Sequence, residues 1–316
     1  MPNSVELPAK SSLRAWKNTS PFVMGVILAI LGTFLFATKS VIIKLAYGVG
    51  ATSMDILVLR MLLALPFYVG VLVYDFRSAS QTTLTWKQVV AALLLGFLGY
   101  YLASLLDLRG LEYISAQLER LTLFTYPAMI AVLAWVFLRE RLTLKIVFAI
   151  LLCYVGIFLM YARESTLTDA VDVRRGVTLV IGSAVSYSCY VVFAKGLMQK
   201  IGSRRFTSLA MIGSTFFVGI HFTATRTFDS SRPSPQVWGY CAVLAVMCTV
   251  VPSYLVNEAI VRIGATRASV IGSVGPVVTM LLAIVVLKEP TSIQHLAGML
   301  IVVLGVTLVS QSTSKR

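Results

Sequence analysis

The chain of 316 residues is poor in charge: Asp, Glu, Lys and Arg make up 13% of it, about half the roughly 25% usual in a soluble domain. It has only two histidines, His221 and His295, in different segments, so they form no cluster. The four cysteines (Cys153, Cys189, Cys241 and Cys248) fall in apolar segments at no metal-ligand spacing. They read as small packing residues, and neither a metal site nor a cofactor is expected. There is no His-Glu-x-x-His, no GxSxG and no paired-Asp motif, which removes the support for a membrane-embedded enzyme, the remotest reading. Without GxxxxGK[ST], pumping by ATP hydrolysis within this chain is not expected. The first twenty residues, MPNSVELPAKSSLRAWKNTS, contain no apolar run, so no cleavable signal peptide is expected. No ten-residue stretch alternates with period two, which speaks against a β-barrel.

What fills the chain instead is apolar residue, 58% of it, at a mean hydropathy of +0.86. The expectation is an all-α integral membrane protein. Ten segments have the roughly 20 mostly apolar residues that span a bilayer. They run from about Phe22 to Tyr47, Met54 to Tyr74, Val89 to Leu108, Gln117 to Leu138 and Thr143 to Tyr161. The second five run from about Gly176 to Leu197, Phe206 to Ala224, Trp238 to Ile260, Ala265 to Leu287 and Ile293 to Ser310. The net charge of +14 then reflects basic cytoplasmic loops rather than nucleic-acid binding. With the N-terminus inside, fifteen basic residues fall on the cytoplasmic side and eight on the other, so both termini are expected in the cytoplasm and the chain in a plasma or bacterial inner membrane.

The chain contains the same pattern twice. SAQLERLTLFTYPAMIAVLAWVFLRE (115–140) and GATRASVIGSVGPVVTMLLAIVVLKE (264–289) align at one offset of 149 residues, pairing Ala116 with Ala265, Pro127 with Pro276, Ala134 with Ala283 and Glu140 with Glu289. The same offset pairs Gly156 with Gly305, and an offset of 151 pairs Gly25 with Gly176 and Lys44 with Lys195. Each half holds five spans. An odd number makes the second half enter from the opposite side, an inverted repeat. The expected organisation is a cytoplasmic tail (1–21), a first repeat (22–162), a linker (163–175), a second repeat (176–311) and a short tail (312–316).

This pattern, with Pro127, Arg139, Glu140 and Gly156 answered by Pro276, Lys288, Glu289 and Gly305, resembles the EamA-type branch of the drug/metabolite transporter superfamily. Lys44, Lys195 and Arg60 fit the resemblance, which covers about Phe22 to Ser310. The second half departs from it where FTSLAMIGSTFFVG offers no counterpart of Arg60. The resemblance implies export of amino acids or related metabolites.

Ionisable groups inside spans are costly and mark transport paths. The candidate substrate-binding residues are Lys39, Arg60, Asp107, Glu119, Tyr126, Tyr187, Tyr254 and Asn257, with Glu119 and Asp107 as candidates for proton coupling. Each has a plainer alternative. Arg60 suits a clamp on carbonyls or a carboxylate, Glu119 a place in the first helical turn favoured by the helix dipole, and Tyr254 and Asn257 neighbour an ordinary Glu258–Arg262 helical pair. Ser183, Ser186, Tyr187, Ser188 and Tyr190 give the sixth span a polar surface expected to line a cavity. Pro127 and Pro276 mark kinks or gates, and the charged pairs after them read as caps or loop-to-loop partners. Basic and acidic groups together suit a zwitterion such as an amino acid, moved by alternating access. A nucleotide-sugar or phosphate-ester carrier of the same superfamily is the second reading. The expected partners are a small-molecule substrate and the lipid bilayer, and a homodimer is compatible with the sequence.

Overall fold

The computed structural model describes residues 21–78, 84–139, 143–167, 172–225, 233–263, 268 and 271–313. Among them all regular structure is helical. In hydrocarbon every backbone N–H and C=O must be paired within the protein, and a helix does this inside one segment. The elements are α1 (Pro21–Gly48), α2 (Ser53–Ser78), α3 (Trp86–Leu111), α4 (Ala116–Leu123), α5 (Tyr126–Leu138) and α6 (Leu144–Leu167), then α7 (Val173–Ile201), α8 (Ser203–Thr225), α9 (235–263), α10 (Gly275–Leu287) and α11 (Ile293–Thr313). Eight stretches are long and apolar enough to cross a membrane, α4 and α5 counting as one. The last two expected spans appear as the shorter apolar helices Gly275–Leu287 and Ile293–Leu308. The tails at 1–20 and 314–316, and Glu140 of the repeated motif, lie outside the described residues.

The sequence repeat reappears in the backbone. α3 widens into a π-helical turn at Phe97–Leu102, and α9 does so at Val246–Val250, again 149 residues on. The helix carrying Pro127 stops at Leu123 and restarts at Tyr126; the one carrying Pro276 shows turns at 273–274 and restarts at Gly275. Arg139 and Lys288, each ending a restarted helix, both adopt the left-handed conformation at φ 55° and 54°. The helix contacts follow the same exchange of halves: α1 packs on α9 as α7 packs on α3, while α2 packs on α8 and α6 on α11.

The prolines do not kink continuous helices. Each sits in the first turn of a new helix, where a missing N–H is no loss because that N–H would have no helical partner. Serines of α7 bond carbonyls at or near these features. Ser186 Oγ donates to Leu98 O at 2.8 Å and Ser183 Oγ to Ala103 O at 2.7 Å, while Ser188 Oγ lies 2.6 Å from Ala184 O of its own helix and 3.1 Å from Tyr126 O. The polar surface expected to line a cavity therefore does two things. Ser183 and Tyr187 reach the cavity described next, while Ser186 bonds the backbone of α3 and Ser188 turns to the backbone of its own helix and of α5.

Candidate functional site

Between the two halves lies a cavity of about 380 Å³, walled by α1, α2, α3, α4, α5, α7, α8 and α9 and by Ala268 and Gly272 ahead of α10. The π-helical turns of α3 and α9 border it, through Gly99 and Tyr100 and through Cys248 and Thr249; a third, at Ala283–Leu287 in α10, does not. A π turn shifts the register of a helix by one residue and is found frequently at functional sites. Here it turns side chains of both halves onto one space.

Of the expected site residues, Lys39, Arg60, Asp107, Tyr126 and Tyr187 line this cavity. Lys39 and Asp107, 68 residues apart, form an ion pair with Nζ donating to Oδ2 at 2.6 Å. The side chain of Asp107 is 2% exposed and that of Lys39 15%, so the pair is largely out of solvent. Asp107 Oδ1 has no hydrogen-bond partner. Arg60 is 3% exposed, and its Nε and Nη2 have no partner. No carbonyl or carboxylate clamps it among the described residues.

Glu119 does not reach the cavity. It is fully buried, and neither of its oxygens meets a donor. Its carboxyl group lies against that of Asp107, where a single proton would join the two in a hydrogen bond. It stands in the first turn of α4, which Ser115 caps. Tyr254 stands off the lining and packs on Tyr68, ring centroids 6.2 Å apart. The side chain of Asn257 lies outside the described ones. Tyr126 and Tyr187 meet edge to face at 5.3 Å, and Tyr100 and Tyr190 share a hydroxyl hydrogen bond at 3.0 Å, making one wall aromatic.

Arg120 is not one of the candidate residues named singly, but it belongs to the stretch 117–126, which the comparison of the repeats marks as the place for a substrate-specific surface. It lines the cavity, with its Nε unpartnered. The available signal was its position in the part of 115–140 that differs from the copy, where Glu119, Arg120 and Tyr126 align with Ala268, Ser269 and Gly275. Thr249 and Ser253 were likewise not singled out and also line the cavity.

One end of the bundle is tied by carboxylates. The first four N–H groups of a helix region have no partner within the helix, and at α4 all four are met. Ser115 N donates to Glu164 Oε1 at 2.6 Å, Ala116 N and Gln117 N donate to Glu289 at 2.8 and 3.4 Å, and Leu118 N donates to Ser115 Oγ at 3.1 Å. Thr291 Oγ1 donates to Gln117 Oε1 at 3.1 Å, and Lys44 lies in the field of Glu289, Glu164, Glu119 and Glu112. Glu289, which closes the repeated motif, is thus a cap supplied by one half to a helix of the other. Glu289→Ala is expected to cost about 1–3 kcal/mol, because two N–H groups lose their acceptor. Thermal melting of the purified protein checks this, with Glu289→Gln keeping part of the stability through its remaining oxygen.

This arrangement has relatives. The EamA-like transporter family model matches residues 23–162 and 174–311. The uncharacterized transporter YcbK of Bacillus subtilis (strain 168) is 31% identical over 281 residues, covering 87% of this chain and 88% of the relative. YetK of the same strain is 28% identical over 71% of this chain and 68% of its own length, and the transporter sll1319 of Synechocystis is 25% identical over 93% and 96%. A solved crystal structure superposes with a TM-score of 0.64 at 15% identity, covering 92% of this chain and 98% of that one, a likeness of fold alone. With a repeated sequence, repeated backbone interruptions and a shared cavity between the halves, the chain is a multi-pass membrane protein and belongs to the EamA-like transporter family.

Proposed function

We propose that the protein is a secondary transporter that exports small organic metabolites such as amino acids, by alternating access between two inverted five-helix repeats, 22–162 and 176–311. The observation that carries this reading is a cavity between the halves lined by groups of opposite sign, the unpaired Arg60 and the carboxylate of Asp107, which is ion-paired with Lys39. A zwitterion offers one partner to each. Inversion follows from five spans per half and agrees with the exchange of helix contacts between halves. Rocking one half against the other then opens the same site to either side.

Under the charge-based orientation, with both termini cytoplasmic in a cell membrane, the end capped by Glu164 and Glu289 faces outward. The network there would have to open when substrate leaves. The adjoining carboxyls of Asp107 and Glu119 suit a shared proton, and through it coupling to a proton gradient. A phosphate-ester substrate is the second reading, favoured by three cations on the lining, Lys39, Arg60 and Arg120, against the single carboxylate of Asp107.

The test is transport in proteoliposomes loaded with a mixture of the twenty L-amino acids, read by mass spectrometry. Amino-acid efflux that depends on the protein supports the proposal, and its absence overturns the amino-acid reading. Glu119→Gln is expected to leave binding in place and to remove the response of transport to an imposed pH gradient. A response equal to that of the unaltered protein would take Glu119 out of the coupling.

A further inference from the structure

We propose that Arg60 is the docking point for a carboxylate of the substrate, and that this carboxylate is the feature a ligand needs to be accepted. The inference rests on the transporter reading above and goes further, to one residue and one chemical group.

One of the three cations on the lining is ion-paired: Lys39 holds Asp107 at 2.6 Å. Arg60 and Arg120 have no ion pair among the described residues. Arg60 is the buried one of the two, whereas Arg120 is partly exposed. Apart from Asp107, the groups felt most strongly by Arg60 are Cys241, Tyr68 and Cys248, none of which carries a negative charge at neutral pH in ordinary circumstances. A charge buried without a partner costs several kcal/mol. Arg60 both borders the cavity and is 3% exposed, so a counter-charge can reach it from the cavity.

The repeat supplies an independent argument. Groups that hold the shared architecture recur in both halves: the prolines, the π turns and the left-handed residues after α5 and α10. Arg60 does not recur. The matching helix α8 reads FTSLAMIGSTFFVG through the corresponding region, without a basic residue. The common scaffold therefore folds without a guanidinium at this place, and the residue answers to something found on one side only, as a ligand is.

A guanidinium is a planar set of donors that matches the two oxygens of a carboxylate. In an amino acid, the ammonium would then lie in the same cavity as Asp107, the carboxylate on its lining. A cation with no carboxylate would add its charge to a lining that already carries Lys39, Arg60 and Arg120, and is rejected.

The experiment measures binding to the purified full-length protein by thermal shift. The probes are the L-amino acids, their carboxamides, the amines left by decarboxylation, the straight-chain acids from acetate to hexanoate, and glycerol 3-phosphate. At least one carboxylate is expected to bind, with its amide and amine weaker on the order of 10²-fold or more, since an unanswered buried polar group penalises the wrong ligand heavily. Arg60→Gln is expected to bind acid and amide alike, and Arg60→Lys to keep part of the preference. Unliganded Arg60→Gln should melt at or above the temperature of the unaltered protein, because it removes an unpaired buried charge; a structural clamp predicts the opposite. The proposal is overturned if Arg60→Gln still prefers the acid, if it melts several degrees lower or fails to fold, or if glycerol 3-phosphate binds and no carboxylate does. Arg60-dependent binding of simple acids without any amino acid would sink the amino-acid reading and leave the anchor. Amino-acid transport with an unchanged acid-to-amide ratio in Arg60→Gln would do the reverse.

Discussion

Asp107→Asn is expected to be the most damaging single change at the cavity, lowering stability by about 3–5 kcal/mol, as breaking one side of a buried ion pair does. It leaves the ammonium of Lys39 without its 2.6 Å partner and sets Lys39, Arg60 and Arg120 against Glu119 alone. Lys39→Ala is expected to cost less. With the ammonium gone, Asp107 still feels Arg60, and two carboxylates then face two guanidiniums. The double variant should be milder than Asp107→Asn by itself, because it removes the stranded ammonium too. Melting temperatures of the three variants in one detergent check the order. Equal losses for the two single changes would mean that Lys39 and Asp107 act as an isolated pair rather than as part of a charge cluster. Transport should fall in both single variants, since each changes the charge that a substrate meets.

That pair shows where reading the sequence reaches and where it stops. Lys39 and Asp107 stand out one by one, because a charge within a span is expensive wherever it lies. Their meeting does not, because it joins α1 to α3 across 68 residues and no local spacing encodes it. The repeat was legible because one offset governs both residues and backbone. An offset of 149 carries Pro127 to Pro276, and the same offset carries one π turn to the other. The reading that end-of-helix charges act as caps holds at Glu289, which accepts from Ala116 and Gln117. The helix carrying Pro127 was less legible. A proline in an apolar run suggests a kink, and only the turn at Phe124 and Thr125 shows that a new helix begins there. For Ser186 the sequence shows polarity without direction; the carbonyl that claims it, Leu98 O, lies on another helix. Arg120 was less legible: adjacent residues of a helix point to different faces, and nothing local tells that here Glu119 is sealed and Arg120 faces the cavity.

Gly96→Ala is expected to have an effect out of proportion to one methyl group. A Cβ at Gly96 would lie 2.0 Å from Ala210 O, 2.8 Å from Ala210 C and 2.9 Å from Ala210 Cα. All three are backbone atoms, so no side chain can turn aside, and α3 and α8 have to separate. Across the same crossing, a Cβ at Gly213 would lie 2.8 Å from Leu93 Cα, so two glycines set this approach. Overpacking costs about 1–3 kcal/mol where side chains can adjust, and the cost should be at or above the top of that range here. Gly219→Ala, on α8 with nothing within 4 Å of its Cβ, is the control. It should be neutral or stabilising by about 0.5–1 kcal/mol, since alanine is the better helix former. The site should feel the difference as well. Gly96 directly precedes the π turn that carries Tyr100, and the same helix carries Asp107 to Lys39. Pushing α3 off α8 therefore strains the reach of Asp107 across the cavity. Gly96→Ala should lose transport beyond what its lower protein level explains, measured per mole of folded protein in proteoliposomes, while Gly219→Ala keeps it. Full transport by Gly96→Ala at unchanged melting temperature would show that the two helices have room to part.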